Sequence, residues 1–151
     1  MNLASILGAA CLDPFLRQRL FKDTAGTTRA YSFYLDDVDS RTLKVICADP
    51  KQIEGDFRAV QKQICTHPPC PIPTGVLVLL GAALLNKKLL DELFADPIEA
   101  TNKYGFTLSY FERYVLTSLI WEDQRKLREP LEALARKISQ LTETATGGMA
   151  A

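Results

Sequence analysis

The sequence predicts an all-α protein built from two tandem, similar helical units that pack together. Three observations lead to this fold class. Apolar residues recur at helical spacing, helix-capping residues precede the apolar segments, and the chain repeats itself. Hydrophobic residues make up 47% of the 151 residues, which is enough apolar material for a packed core.

The internal repeat organises the chain. Gly8 and Gly81 lie 73 residues apart (81 − 8 = 73), and the same offset relates Tyr31 to Tyr104. Over positions 6–46, 14 of 41 residues are identical to their ungapped counterparts, where chance gives about two or three. We therefore expect a first helical repeat over residues 1–64, a Pro-rich linker over 65–75, a second repeat over 76–141 and a flexible tail over 142–151.

Capping residues mark where the predicted helices begin. Asp13 and Asp96 each precede a proline, which is typical of an N-cap followed by the first helical position. Ser109 and Glu112 have the spacing of a capping box. Gly105 is a plausible left-handed residue at a helix end.

Three stretches are predicted to be irregular. Residues 24–28 of the first copy are poor helix formers, so we expect the helix there to have loosened. Four prolines within residues 66–74 exclude regular helix between the copies. Pro130 is predicted to divide the last helical segment in two or to begin its final helix.

Each copy is followed by a longer amphipathic helix. The first follows Asp49-Pro50, with Ile53, Phe57, Val60 and Ile64 on one stripe. The second carries Leu127, Leu131, Leu134, Ile138 and Leu141. An apolar stripe of this kind either seals the domain's own core or lies in a groove of another protein. We take the second stripe as the candidate partner-binding face.

Charge and hydropathy exclude several classes of partner. The 18 Lys and Arg residues balance 18 Asp and Glu residues, so the chain lacks the basic excess that nucleic acid binding requires. No apolar run reaches the roughly 20 residues that span a bilayer. The segment before Cys11 resembles a lipoprotein cleavage box, but residues 1–10 carry no basic side chain. We expect a cytoplasmic protein with reduced thiols.

One short cluster has ligand chemistry. Cys65, His67 and Cys70 lie within six residues, and His67 is the only histidine. These residues are candidate zinc ligands, although a structural zinc site needs a fourth ligand. The two cysteines are alternatively suited to a local disulfide. The sequence contains no recognisable nucleophile–base set or phosphate-binding loop, so we predict no cofactor and no catalysis.

Four aromatic residues of the second copy permit two interpretations. Tyr110, Phe111, Tyr114 and Trp121 fall within one predicted helix. Residues of this type line ligand pockets, but they fill protein cores more often. We expect them to be core residues.

Residues 84–116 resemble a known small helical unit. The resemblance is carried by a leucine-rich helix ending in Ala95-Asp96-Pro97, and by the turn Tyr104-Gly105-Phe106 before the capped Ser109. The pattern is similar to the alpha subunit of extradiol aromatic-ring dioxygenases. It also resembles the nitrile-hydratase-like leader regions of ribosomal natural-product precursors.

The resemblance implies a non-catalytic role in which the helical unit is bound by another protein. It implies either a binding or accessory module, or a small subunit or peptide precursor that an enzyme recognises. The duplication departs from the single unit of these families, and only three residues follow Gly147-Gly148. We expect a protein partner and consider a homo-oligomer as a further possibility.

Overall fold

The computed structural model describes residues 2–65, 72–122 and 124–150, and this part of the chain is all-helical, without a β-strand. The described residues form ten α-helices. Their bounds are α1 Asn2–Leu12, α2 Pro14–Lys22, α3 Thr24–Ala30, α4 Asp37–Cys47, α5 Pro50–Ile64, α6 Thr74–Leu85, α7 Lys87–Ala95, α8 Pro97–Lys103, α9 Tyr110–Glu122 and α10 Gln124–Ala150. The predicted all-α class is confirmed.

The fold is centred on the pair α1 and α6, which form the most extensive helix–helix contact in the described chain. A Cβ atom on Gly8 would overlap the carbonyl of Leu77, and one on Gly81 would overlap the carbonyl of Ala4. The two helices are therefore antiparallel. Glycine permits this approach because it has no Cβ to separate the backbones.

Two longer helices flank the central pair. The helix α5 packs on α1 and α10, and α10 also packs on α6 and α4. Their inward faces join the side chains of α1 and α6 in a single apolar core. The short helices α2 to α4 and α7 to α9 continue from each central helix through consecutive contacts along the chain. No described helix is long and apolar enough to cross a membrane.

The predicted caps at Asp13 and Asp96 are confirmed, whereas Asp49 precedes α5 without a side-chain cap hydrogen bond. The Asp13 carboxylate accepts hydrogen bonds from the backbone N–H groups of Phe15 and Leu16, at 3.0 and 3.1 Å. The Asp96 carboxylate accepts one from Glu99 at 3.2 Å. These bonds satisfy N–H groups that have no partner inside the helix.

The capping box that opens α9 forms in both directions. The backbone N–H of Ser109 donates to Glu112 Oε1 at 2.9 Å, and the N–H of Glu112 donates to Ser109 Oγ at 3.2 Å. Gly105 has φ 78° and is left-handed as predicted.

The prediction of a loosened helix in the first copy is wrong. Residues 24–30 form α3. Asp23 caps it by accepting a hydrogen bond from the Gly26 N–H at 3.0 Å, and the Thr27 hydroxyl ties it to the Arg19 carbonyl at 2.9 Å. Side-chain hydrogen bonds to the preceding helix therefore compensate for low helix propensity.

The last helix is longer than the sequence suggested. The helix α10 continues from Gln124 to Ala150 with Pro130 inside it, through the stretch predicted to be a tail. Leu127 and Leu131 are buried on either side of Pro130, so core packing holds the helix together across the hydrogen bond that proline lacks. The helix α6 begins at Thr74, two residues before the predicted start of the second repeat. Most of the predicted Pro-rich linker, residues 66–71, lies outside the described residues.

An ion pair between Arg17 and Glu54 joins α2 to α5 beside the end of α1. The Arg17 side chain is 1% exposed, and its Nε donates to both carboxylate oxygens of Glu54 at 3.0 Å. Its Nη1 donates to the Ala10 carbonyl at 2.8 Å, and the guanidinium lies 5.8 Å from the centre of the Phe57 ring. Arg17 thereby caps the end of α1 and joins α2 to α5.

We predict that Gly8→Ala destabilises the protein by about 2 kcal/mol or more, because the added methyl forces α1 and α6 apart. A matched control is Gly55→Ala, since a Cβ at Gly55 meets nothing within 4 Å. That change should stabilise the protein by about 0.5–1 kcal/mol through helix propensity. Urea denaturation measures both changes in the free energy of unfolding, and equal shifts would contradict the close crossing.

Candidate interaction surface

The leucine stripe that the sequence suggested as a partner-binding face lies in the core. Leu127, Leu131, Leu134 and Ile138 are all buried, and Leu141 is partly buried against the same cluster. They face α5, α6 and the neighbouring helices that α10 contacts. Because these side chains are covered by the chain itself, the structure corrects the assignment and a partner surface must be sought elsewhere.

We predict that Leu134→Asp unfolds α10 or lowers the free energy of unfolding by about 4 kcal/mol or more, because it buries an unpaired carboxylate. Arg136→Asp introduces the same residue at an exposed position two residues away and should change stability by less than about 1 kcal/mol. Circular dichroism during thermal unfolding compares the two variants. A fully folded Leu134→Asp protein would show that the stripe does not seal the core.

The cysteine–histidine cluster is only partly described. Cys65 is buried and disulfide-bonded, while His67 and Cys70 lie outside the described residues. A sulfur in a disulfide is not a thiolate, so in this state Cys65 does not act as a zinc ligand. The disulfide also departs from the expectation of reduced thiols throughout. Among the described residues, no group of three His, Cys, Asp or Glu side chains is arranged to hold a metal.

The free cysteines of the described chain, Cys11 and Cys47, are both buried. Burial raises the pKa of Cys11 from 9.0 to about 12, with the nearby Arg17 charge opposing the shift. Burial likewise raises the pKa of Cys47 from 9.0 to about 11, opposed by a hydrogen bond with Thr24. Since the thiolate is the nucleophile, neither cysteine is suited to covalent chemistry.

We predict that iodoacetamide at pH 8 labels Cys11 and Cys47 only after the chain unfolds. Burial raises the pKa of Cys11 well above pH 8, which leaves little thiolate, and it also blocks access of the reagent. Peptide mapping of native and urea-unfolded protein measures the labelling. Rapid modification of Cys11 in the folded chain would contradict its placement in the core.

Three aromatic side chains stand on the surface at the start of α9. Tyr110, Phe111 and Tyr114 are 90%, 53% and 70% exposed, which corrects the expectation that they are core residues. Tyr110 and Phe111 precede Tyr114 by four and three residues, so the three side chains lie on one side of the helix. The structure does not describe the side chain of Trp121. The described part of this aromatic cluster therefore forms an exposed apolar patch, which we call the α9 aromatic surface.

The backbone beneath the α9 aromatic surface is anchored to the core. In addition to the capping box, the Glu112 carboxylate lies against Gly75 at the start of α6. The N–H of Ser109 contributes most to lowering the pKa of Glu112. Burial opposes the shift, and the Ser109 hydroxyl and the Gly75 backbone lower the pKa further by smaller amounts. A charged Glu112 thus joins the first turn of α9 to the central helix pair.

The sequence contained a signal for this exposure. Leu116 is buried and sets the inward face of α9. At 100° per residue, Tyr114 lies about 200° from Leu116 around the helix, and Tyr110 and Phe111 also point to the outer side. Residue type suggested a core, whereas helical phase relative to Leu116 indicated the surface.

Two further concave features are lined by described residues of other helices. A cavity of about 510 Å³ between α6, α7 and α10 has both acidic and basic residues in its lining, including Lys87, Asp91, Glu132 and Arg136. A second, of about 410 Å³, lies between α3 and α4. No histidine or cysteine is among the residues that line either feature.

The comparisons with known proteins identify no relative, because no family model, no curated protein and no solved structure matches the chain. The class of the protein therefore follows from its fold and from the α9 aromatic surface: it is an all-α protein with an exposed aromatic patch.

Proposed function

We propose that this protein is a non-catalytic helical module that binds a partner protein through the α9 aromatic surface. The observation that carries the proposal is the exposure of Tyr110, Phe111 and Tyr114 together on one helix face. Exposed apolar patches are unusual on monomeric proteins and commonly mark interaction sites. Tyrosine and other aromatic residues are enriched in interface hot spots, because they bury a large area at a small cost in side-chain entropy.

The rigidity of the α9 aromatic surface supports the same role. Ser109 and Glu112 fix the first turn of α9, and Glu112 also contacts α6. A preorganised surface loses little conformational freedom on binding, so more of the contact energy is available as affinity. These residues are therefore better suited to contact a protein surface than to line a small-molecule pocket.

We further propose that the chain is a tandem duplication whose two units pack about a pseudo-twofold axis. The helices α2 and α7 begin and end 73 residues apart, and so do α3 and α8. The left-handed residues Ser32 and Gly105 are separated by the same offset. Gly8 approaches Leu77 while Gly81 approaches Ala4, the reciprocal contact expected of an isologous interface.

The duplication leaves the α9 aromatic surface on one unit only. The positions in α4 that correspond to Tyr110, Phe111 and Tyr114 are Asp37, Val38 and Arg41. We therefore propose a single partner-binding face on each chain.

We predict that the triple variant Tyr110→Ser, Phe111→Ser and Tyr114→Ser weakens partner binding at least tenfold while the fold is retained. Loss of hot-spot aromatics commonly costs more than about 1.4 kcal/mol of binding energy. The matched control is Phe15→Ser with Val38→Ser, two other exposed apolar positions. In-cell crosslinking identifies the partner, and calorimetry with the purified partner compares the variants.

Sedimentation equilibrium of the chain alone tests self-association through the same surface, which would make a second copy the partner. Equal binding by the triple variant and the wild type would overturn the proposal, as would a monomeric chain with no crosslinked partner.

A further inference from the structure

The cavity between α3 and α4 has an apolar interior and a basic rim. Phe33, Leu35 and the buried Leu43 supply apolar lining, and Arg29 and Lys44 supply two cations. None of the residues that line this cavity is acidic. Its volume of about 410 Å³ falls within the range of small-molecule sites.

The two cations are uncompensated within the described chain. Neither Arg29 nor Lys44 forms a salt bridge with any described residue, whereas Lys103 and Arg128 of the second unit both do. The carboxylates of Asp23 and Asp36 cap the two helices by accepting from Gly26 and Asp39, and neither residue lines the cavity. An anion that enters the cavity would therefore meet two positive charges and no lining carboxylate.

The second unit differs at the positions that create this site. The residues 73 positions after Ala25, Arg29 and Lys44 are Ile98, Asn102 and Thr117. The first unit thus has a smaller side chain where the second has isoleucine, and it has both cations where the second has neutral residues. The space and the charge are found together in one unit.

The backbone beside the cavity is strained. Ser32 has φ 59°, although the corresponding position in the second unit is Gly105. A non-glycine residue in this region is disfavoured, and here it ends α3: the N–H groups of Ser32 and Phe33 donate to the carbonyls of Arg29 and Thr28. Ser32 immediately precedes Phe33, whose ring stacks on Tyr31 with centroids 6.3 Å apart. The turn thereby sets the aromatic wall of the cavity.

We infer that this cavity binds a small organic anion with an aromatic body. The carboxylate or phosphate group pairs with Arg29 and Lys44, and the body packs against Phe33, Leu35 and Leu43. The assignment goes beyond partner binding and uses none of the residues of the α9 aromatic surface. It holds whether or not the protein-binding proposal is correct.

The test is a titration of the full-length ¹⁵N-labelled chain with phenyl phosphate at constant ionic strength, followed by NMR. We expect saturable shifts confined to amides of residues 24–44. Inorganic phosphate and benzyl alcohol, which each supply half of the probe, should bind at least tenfold more weakly. Benzoate should bind as phenyl phosphate does if the shared feature is the anion; binding of phenyl phosphate alone would restrict the ligand to phosphates.

Variants separate the site from general electrostatics. Arg29→Gln with Lys44→Gln should weaken binding at least tenfold, while the charge-matched Lys51→Gln with Lys62→Gln should change it by less than twofold. Ala25→Ile, which copies the second unit, should fill the cavity and abolish binding. If Ala25→Ile does not fold, the two charge variants decide, because all four residues are exposed.

Three results would overturn the inference. One is shifts that do not saturate or that spread over the whole chain. Another is an equal loss of affinity in the two charge variants. The third is benzyl alcohol binding as tightly as phenyl phosphate, which would leave the cations without a role.

Discussion

The structure depends on the close antiparallel approach of α1 and α6 at Gly8 and Gly81. Each glycine faces a carbonyl of the other helix, so neither position has room for a side chain. The short distance brings the residues on either side into contact, and α5 and α10 close around the pair. If this crossing opened, α1, α5, α6 and α10 would lose their shared core. They would then unfold, because helix formation alone supplies little stability.

Two buried positions that lie 73 residues apart differ in chemistry. Arg17 pairs its charge with Glu54, and its Nη1 donates to the Ala10 and Cys11 carbonyls. The residue 73 positions later is the buried Leu90. A buried pair is costly to desolvate and costly to break. Its partners therefore constrain α1, α2 and α5 to one arrangement, whereas an apolar contact would tolerate sliding.

The assignment of a functional surface changed because an amphipathic stripe does not identify what covers it. Leu134 and Ile138 have the spacing of a groove-binding helix, yet α10 lies on its own domain and buries them. Tyr110 and Tyr114 have the composition of a core, yet the phase of α9 places them outside. Residue type alone therefore predicts a surface where the chain has a core, and a core where the chain has a surface. The exposure of a side chain depends on neighbours that are distant in sequence.

The sequence by itself determined the helical class and the starts of α2, α8 and α9, because caps and periodicity are encoded over a few adjacent residues. Asp13, Asp96 and the Ser109–Glu112 pair cap helices as their spacing predicts. It did not determine that α3 forms, because the Asp23 cap and the Thr27 hydroxyl compensate there for low helix propensity. It also did not determine that α10 passes Pro130, where burial of Leu127 and Leu131 overrides local propensity. Only the tertiary structure placed Arg29 and Lys44 at one cavity, because α3 and α4 meet there through folding rather than through any sequence pattern.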